Sequence, residues 1–155
     1  PGAALVTLSA EARLDAPGVS CRVETDRALD EAGLHPATGG SGLQACSGDM
    51  LLEALAACAG VTLRAVATAL DIPVNGGVIR AEGDLDFRGT LGVAKDAQVG
   101  FGAIRLGFDL ESDASAGQLE TLLKLTERYC VVLQTLRTPP VVTLVRGPRR
   151  AAAAS

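Results

Sequence analysis

The amino-acid sequence predicts an α+β fold in one domain. Stretches that alternate between apolar and polar residues recur along the chain. Each would place its polar residues on one solvent-exposed face, which is typical of antiparallel strands. Two long helical stretches separate them, in the order strands, helix, strands, helix, strand. This order favours α+β over a doubly wound α/β fold. At 155 residues the chain fits one domain, assigned to residues 1–147, and residues 148–155 are expected to form a disordered or expression-derived tail.

The first predicted strands are Leu5–Leu14 and Val19–Thr25, and the second of these alternates with a period of two. The sequence DAPG at residues 15–18 supplies the turn between them. A glycine-rich stretch without periodicity, HPATGGSGLQACSGD, follows at residues 35–49. It contains no Gly-Lys-Ser/Thr, so it predicts an ordinary loop and not a phosphate-binding one.

A long apolar helix is predicted after this loop. Ser47 is a suitable N-cap, and the helix runs to about Leu70, where Pro73 ends it shortly afterwards. The stretch approaches the length of a membrane span, but Glu53 and Arg64 interrupt it before 18 apolar residues accumulate. A buried core helix is therefore the better interpretation.

Two further strands and a second helix complete the predicted fold. Val78–Phe87 and Ile104–Leu110 each place apolar residues on one face and charged residues on the other. The second helix begins at Ser115, with Gln118 three residues later as a capping box. It is expected to continue past Leu133 until a pair of prolines ends it, and Val141–Val145 is expected to form a last short strand.

Composition excludes several classes of function. The net charge is −4, which argues against nucleic acid or an anionic membrane surface as a partner, because both select basic patches. Aromatic residues make up 3% of the chain and Trp is absent, so base-stacking platforms are not expected. No secretory signal is visible, and four scattered cysteines do not form a disulfide scaffold. We therefore expect a cytoplasmic location.

A helical wheel divides the first helix into two sides. An apolar side is predicted from Leu51, Ala54, Leu55, Cys58, Thr62, Ala65 and Ala69. The opposite side has charged residues toward its ends and Gly or Ala in its middle. It contains Asp49, Glu53, Gly60, Arg64, Ala67 and Asp71. Small residues let another backbone approach closely, so the helix is expected to pack on both sides, with a second subunit as one partner.

Cys58 and Cys130 each lie on the apolar stripe of a helix. A free cysteine in such a place is usually a small hydrophobic residue of the core. A reactive Cys58 would need another group to lower the pKa of its thiol, because a helix dipole acts only within the first turn. We expect a cation from another segment or subunit, since Arg64 points about 120° away on the wheel. Cys21 and Cys46 are expected to be dispensable.

Two segments together resemble the OsmC/Ohr family of osmotically inducible and organic hydroperoxide resistance proteins. They are SGDMLLEALAACAGVTLRAVATAL at residues 47–70 and, about 70 residues after Cys58, LLKLTERYCVVLQTL at residues 122–136. The resemblance covers most of the chain as far as Val145. It implies an OsmC-like fold, with antiparallel sheets around a long central helix that carries the cysteine, in an intertwined homodimer.

The resemblance also implies a thiol peroxidase that needs no bound cofactor or metal. By family analogy, Cys58 attacks the O–O bond of a small organic hydroperoxide and becomes a sulfenic acid. Cys130 then condenses with it to a disulfide, and a dithiol such as a lipoyl group restores the pair. The apolar surroundings of Cys58 would suit a fatty or aromatic peroxide better than hydrogen peroxide.

Family members usually carry Pro-Glu-Glu at the start of the cysteine helix, where a glutamate holds an activating arginine. Here these positions are Ser47-Gly48-Asp49, so Asp49 is the candidate for the acidic role. Arg13, Arg22 and His35 are the candidate partners of the thiol. The family also has proline directly after the second cysteine, whereas this chain has Val131.

Two other functions compete with the peroxidase. One is a non-catalytic redox sensor or small-ligand-binding protein of the same fold, which the altered activator positions favour. The other is a zinc site built from Cys46, Cys58, Cys130 and His35. The zinc site is disfavoured because no CxxC or HxxxH pair exists, and Cys46 and Cys58 would lie about 18 Å apart along one helix.

Overall fold

The computed structural model describes residues 5–13, 22–24, 32–42 and 45–142, and it places the side chains of residues 34–42 and 46–142. The described elements alternate strands and helices in the predicted order, and they confirm the α+β class. They are β1 (Leu5–Arg13), β2 (Arg22–Glu24), β3 (Ala32–Gly33), β4 (Ala45–Cys46), α1 (Ser47–Ala69), β5 (Gly76–Asp86), α2 (Phe87–Thr90), β6 (Phe101–Glu111), α3 (Ala116–Tyr129) and α4 (Val131–Thr135).

The larger sheet has four strands in the order β2-β1-β5-β6, and all of its neighbours are antiparallel, as predicted. Arg13 pairs with Arg22 at the end of β1, and Arg13 also faces Val78 at the start of β5. A second sheet joins β3 and β4 in parallel, which corrects the expectation of antiparallel pairing throughout. This pair is only two residues long and has no periodic pattern that could have revealed it.

Helix α1 packs against β1, β5 and α3, and it supplies six of the thirteen buried residues in the core cluster formed by the described side chains. The fully buried residues of its inner face are Leu52, Leu55, Ala56, Ala59 and Leu63. The predicted apolar side was therefore wrong, because the buried face is rotated about the helix axis relative to it. Cys58 and Thr62 are half-buried at its edge, and Ala54, Ala65 and Ala69 are exposed.

The error in phase has a physical cause. Leu51 and Leu52 are adjacent, and small apolar residues surround the whole helix, so periodicity alone does not select one face. Gly60 and Ala67, which were expected to contact a second subunit, are buried within this chain. The bulky Leu52, Leu55 and Leu63 decide the orientation because they remove the most apolar area from water.

The N-terminus of α1 also differs from the prediction. Cys46 is the N-cap residue, and Ser47 is the first residue inside the helix. Asp49 lies in the first turn, where a negative charge interacts favourably with the helix dipole. Among the described helices, α1 alone is long and apolar enough to cross a membrane by length and composition, a test that core helices of soluble proteins also pass. Its packing on the sheet fits the predicted core helix.

Strands β5 and β6 form a long antiparallel pair with a charged outer face. Arg105 on β6 donates two hydrogen bonds to Asp84, at 2.6 and 3.0 Å, and contacts Glu82 at 3.4 Å. Phe87 was predicted as the last residue of β5, but it begins α2. The cause is Asp86, whose carboxylate accepts the backbone N–H of Arg88 and caps a new helical turn.

The second predicted helix is divided in two. Its start is confirmed, because Ser115 and Gln118 form the complete capping box of α3. The helix was expected to continue beyond Leu133, but α3 ends at Tyr129 and α4 begins at Val131. Val141 and Val142 are not in a strand, which corrects that part of the predicted last strand, and residues 143–145 lie outside the described residues.

Candidate active site

The structure brings Cys58 and Cys130 together, as expected. Cys58 lies in the middle of α1, and Cys130 occupies the break between α3 and α4. The two free thiols lie close enough together for each to shift the pKa of the other. Cys130 is fully buried, whereas Cys58 is half-buried. The sulfur of Cys58 is therefore the one that a small molecule from solvent reaches first.

Cys130 has an extended backbone, with φ −68° and ψ 106°. It is the C-cap residue of α3 and the N-cap residue of α4. Its N–H donates to the carbonyl of Thr126 at 2.9 Å and ends α3. Its own carbonyl accepts the N–H of Gln134, also at 2.9 Å, and starts α4. The break releases the N–H groups of Val131 and Val132, which a continuous helix would use for its own backbone.

These released N–H groups are what the sequence analysis missed. The N–H groups of Val131 and Val132 hydrogen-bond to the sulfur of Cys58. On the other side of the break, the side chain of Gln134 donates to the carbonyl of Glu127 at 2.7 Å, which α3 would otherwise leave free. The side chain of Gln134 thus satisfies the polar group that the break exposes.

The surroundings of Cys58 favour its thiolate. Burial alone raises the pKa of the Cys58 thiol. Hydrogen bonds from the N–H of Val132, the thiol of Cys130, the hydroxyl of Thr62 and the N–H of Val131 outweigh burial, and together they bring this pKa below its ordinary value. Neutral donors therefore perform the task for which a cation was expected, within the part of the chain that the structure describes.

Cys130 has the opposite tendency. Burial raises the pKa of the Cys130 thiol, and the neighbouring Cys58 raises it further. The N–H groups of Leu133 and Val132 lower it only in part. Of the two thiols, Cys58 is therefore the one that loses its proton at the lower pH, and the proton of Cys130 then stabilises the negative sulfur beside it.

The predicted activators stand elsewhere. Asp49 precedes Cys58 by nine residues, which places it on the opposite face of α1 and about 13.5 Å away along the axis. His35 caps a short 3₁₀ turn, where its Nδ1 accepts the N–H of Ala37 at 3.1 Å, and its ring stacks on Phe87 at 4.9 Å. These contacts give His35 a structural role, and neither of them involves a thiol.

The structure describes the positions of the two candidate arginines and of the other cysteines only in part. The backbones of Arg13 and Arg22 are paired in the sheet, and their side chains lie outside the described residues. Cys21 also lies outside them. Cys46 is buried at the start of α1, about 18 Å from Cys58 along the helix. Within residues 32–42 and 45–142, no group of three or more His, Cys, Asp or Glu is placed to hold a metal ion.

A cavity of about 420 Å³ opens beside Cys130. Cys130 lies in its wall together with Ala59 of α1 and Leu133 of α4. The rest of its apolar lining comes from β6 and α3 through Leu106, Phe108 and Leu123. Glu120, Lys124 and Glu127 also line it. The arrangement can hold a small apolar molecule next to Cys130, the neighbour of Cys58.

Comparisons with known proteins agree with this architecture. The sequence model of the family described as OsmC-like protein matches residues 39–145, which is well over half of the chain. A solved structure of an OsmC-like hydroperoxide resistance protein from Jannaschia sp. CCS1 is similar to this chain, with a TM-score of 0.65 and 13% sequence identity. The match covers 95% of this chain and 97% of that one, and at this identity it supports the fold. No curated protein matches the sequence.

Proposed function

Because the chain belongs to the OsmC-like protein family, we propose that it is a cysteine-based thiol peroxidase that reduces organic hydroperoxides. One observation carries the proposal above the others. Cys58 and Cys130 hydrogen-bond to each other, and their surroundings move their pKa values in opposite directions. Such a pair supplies an ionised nucleophile and a protonated partner in one place.

In the first step, the thiolate of Cys58 attacks one oxygen of the hydroperoxide. An S–O bond forms, the O–O bond breaks, and the departing alkoxide takes a proton to become an alcohol. The sulfur of Cys58 is oxidised to a sulfenic acid, and the peroxide is reduced by two electrons. The N–H groups of Val131 and Val132 stabilise the ionised form of this sulfur before the attack.

In the second step, the thiol of Cys130 loses its proton and attacks the sulfur of the sulfenic acid. An S–S bond forms between Cys58 and Cys130, and the hydroxyl leaves as water. The existing hydrogen bond between the two thiols supports this pairing, because the sulfurs are already neighbours. An external dithiol, for which we propose the lipoyl type, then reduces the disulfide and completes the cycle.

The lining of the 420 Å³ cavity favours an organic substrate. Leu106, Phe108 and Leu123 offer apolar surface that hydrogen peroxide cannot use. An alkyl or aryl hydroperoxide would gain binding energy from this surface, which adjoins Cys130, the neighbour of Cys58. The proposal therefore includes a preference for fatty or aromatic peroxides over hydrogen peroxide.

We also propose that the protein is a homodimer that pairs through α1. The outer face of this helix exposes Ala54, Val61 and Ala65, and Val61 is 40% exposed. These small apolar side chains permit a close helix contact. Light scattering at micromolar concentration should give twice the mass of the chain, and a monomer would contradict the dimer.

Intact mass spectrometry after one equivalent of cumene hydroperoxide tests the peroxidase. We expect the wild-type chain to lose two hydrogens, because the Cys58–Cys130 disulfide forms. Cys130→Ser should gain oxygen at Cys58, whose sulfenic acid then has no resolving thiol. Cys58→Ser should remain unchanged. If none of the three chains changes mass, both cysteines are packing residues and the proposal fails.

The competing function is a redox sensor of the same fold, in which the disulfide changes the shape of the protein. The number of turnovers separates the two. With excess dithiol and excess peroxide, a peroxidase consumes many equivalents of peroxide per chain, whereas a sensor responds to one and its disulfide is reduced too slowly to sustain consumption.

A further inference from the structure

Three side chains meet at the break between α3 and α4, and we call them the Glu127 cluster. The Nε2 of Gln134 donates to the backbone carbonyl of Glu127 at 2.7 Å. Arg137 contacts both of the other residues. Its Nη2 donates to the carboxylate of Glu127 at 2.7 Å, and its Nη1 makes a longer contact of 3.5 Å with the Oε1 of Gln134. The cluster therefore connects the last turn of α3 with α4 and the chain that follows it.

The carbonyl of Glu127 is the group for which the break and a continuous helix compete. In a continuous helix this carbonyl would accept the N–H of Val131, four residues later. Here the backbone of Cys130 is extended, and the side chain of Gln134 donates to the carbonyl instead. Valine has an N–H and is tolerated inside helices, so Val131 by itself does not prevent α3 from continuing into α4.

From this geometry we propose that Arg137 is a positioning residue that acts through Gln134 to keep α3 and α4 apart and to hold Cys130 beside Cys58. Its Nη1 orients the amide of Gln134, so that Nε2 is directed at the carbonyl of Glu127. The ion pair with Glu127 anchors the guanidinium. The proposal rests on the proposed function for the role of Cys130 as the resolving thiol, and it goes beyond it by naming a residue that maintains the placement of this thiol.

The break and the two thiols belong to one packed region. Helix α1 contacts both α3 and α4. Cys58, Val132 and Leu133 pack against the core cluster that contains Cys130. Ala59, next to Cys58 in the chain, lines the same cavity as Cys130 and Leu133. A change in the direction of α4 would therefore move Cys130 relative to Cys58.

Arg137 can be replaced without disturbing the core. The side chains of Arg137 and Glu127 are 58% and 59% exposed, and an exposed ion pair contributes little to stability. Arg105 is the matched control, because its guanidinium donates two hydrogen bonds to Asp84, at 2.6 and 3.0 Å, on the outer face of the sheet. Its side chain is 48% exposed. Arg105→Ala thus removes a comparable pair that does not border the break.

The test is a double-mutant cycle between Arg137→Ala and Val131→Pro. Proline has no N–H for the carbonyl of Glu127 to accept, and in a continuous helix its ring would clash with that carbonyl. Position 131 is the first residue of α4 and follows an extended residue, and both features suit proline. In a chain that carries Val131→Pro, the break should therefore no longer depend on Arg137.

The readout is the equilibrium between the dithiol chain and its Cys58–Cys130 disulfide in glutathione buffers at pH 7. The S–S bond of oxidised glutathione breaks, the bond between the two cysteines forms, and the two thiol hydrogens pass to two molecules of reduced glutathione. Acid quenching and peptide mass mapping give the fraction of chains that carry this disulfide.

We expect Arg137→Ala to lower the equilibrium constant roughly two- to fivefold, the factor that one exposed ion pair supplies, because some of the molecules lose the placement of Cys130. In the presence of Val131→Pro, the same substitution should leave the constant unchanged. Arg105→Ala should also leave it unchanged. A contribution of Arg137 to global stability alone would not move the constant, since both redox forms are folded.

An unchanged constant in Arg137→Ala would overturn the proposal. So would an equal fall in Arg105→Ala, or an equal fall with and without Val131→Pro. If Arg137→Ala does not fold, Glu127→Gln takes its place, because it weakens the same pair and keeps the backbone carbonyl.

The outcome is separable from that of the peroxidase proposal, because no peroxide is used. A disulfide that glutathione forms and cumene hydroperoxide does not would refute the proposed function and leave the role of Arg137 intact. If glutathione forms no disulfide in the wild-type chain, the proposed function loses its resolving step. The rate at which iodoacetamide alkylates the buried Cys130 then decides, and Arg137→Ala should raise this rate only in the absence of Val131→Pro.

Discussion

Cys46 and Cys130 occupy similar places in the fold and have different surroundings. Each is buried, each has an extended backbone, and each is the N-cap residue of a helix. Cys46 precedes the 23-residue α1, whereas Cys130 precedes only five helical residues. The longer helix α1 has the stronger dipole, yet the thiol that neighbours Cys58 lies at the start of the short helix α4. Burial and a helix start are therefore not enough to identify a functional thiol.

The difference lies in what else reaches the sulfur. Cys130 hydrogen-bonds to Cys58, while Cys46 lies about three turns of α1 away from it. The break at Cys130 also gives the N–H groups of Val131 and Val132 to Cys58. The candidate active site thus depends on the break between α3 and α4, because this break directs backbone N–H groups toward Cys58 on α1.

The largest expected effect comes from removing each cysteine in turn. Cys130→Ser should stop peroxide consumption after one equivalent, even with excess dithiol, because the sulfenic acid of Cys58 has no resolving partner. Cys46→Ser should consume peroxide at the wild-type rate, since its thiol is about 18 Å from Cys58. A coupled assay of dithiol oxidation measures both.

Circular dichroism of both variants serves as the control for folding. Loss of turnover in a folded Cys46→Ser would show that the wrong cysteine has been assigned as the resolving thiol. Sustained turnover in Cys130→Ser would show that the protein resolves its sulfenic acid without Cys130.

A smaller effect should separate Cys58 from Cys130 in the pH dependence of their alkylation. The alkylation midpoint of Cys58 should lie below that of an ordinary thiol, because its hydrogen-bond donors outweigh burial. The midpoint of Cys130 should lie above it, because burial and Cys58 both disfavour its charge. In Cys58→Ser, the Cys130 midpoint should move down, as one of these causes is removed. Coinciding midpoints in the wild type would contradict the division of roles.

The same pKa shifts affect the free energy of unfolding. The lowered pKa of Cys58 contributes stability that is present above the pKa of an unfolded cysteine and is lost as the pH falls through the folded value. The raised pKa of Cys130 acts in the other sense. Its contribution is present below the unfolded pKa and is lost as the pH rises through the folded value.

The sequence predicted what local chemistry controls. The capping box of Ser115 and Gln118, the alternation of β5 and β6, and the start of α1 within one residue all follow from near neighbours. The pairing of Cys58 with Cys130 came from the family resemblance, and the structure places the two thiols in contact.

The features that the sequence did not reveal depend on contacts between residues that are far apart in the chain. The inner face of α1 is selected by packing against β1 and β5, and small residues on every side of the helix hide that choice. The break at Cys130 is hidden because Val131 can continue a helix. The proline that relatives carry at this position would favour a helix start there, since proline suits the first turn of a helix. That family feature was the available signal for the break.

The smallest expected effect tests how the break is maintained. The side chain of Gln134 donates to the carbonyl of Glu127, and Arg137 pairs with the carboxylate of Glu127 at 2.7 Å. Gln134→Ala should lower the free energy of unfolding by about 0.5–1.5 kcal/mol, the usual contribution of one hydrogen bond. Because Cys130 starts α4 through the backbone N–H of Gln134, the thiol pair should survive the change.

Gln98→Ala is the matched control for Gln134→Ala. It also removes a side-chain donor to a backbone carbonyl, that of Phe101 at 3.0 Å, in a loop far along the chain from the thiols. Urea unfolding should give a somewhat larger loss for Gln134→Ala. Gln98→Ala removes one exposed hydrogen bond, whereas Gln134→Ala also removes the longer one that Arg137 donates to its Oε1 at 3.5 Å. Only Gln134→Ala should slow the alkylation of Cys58 at pH 7, because only that bond borders the helix break. Equal alkylation rates in the two variants would mean that backbone hydrogen bonds alone maintain the break, and that Gln134 contributes only to stability.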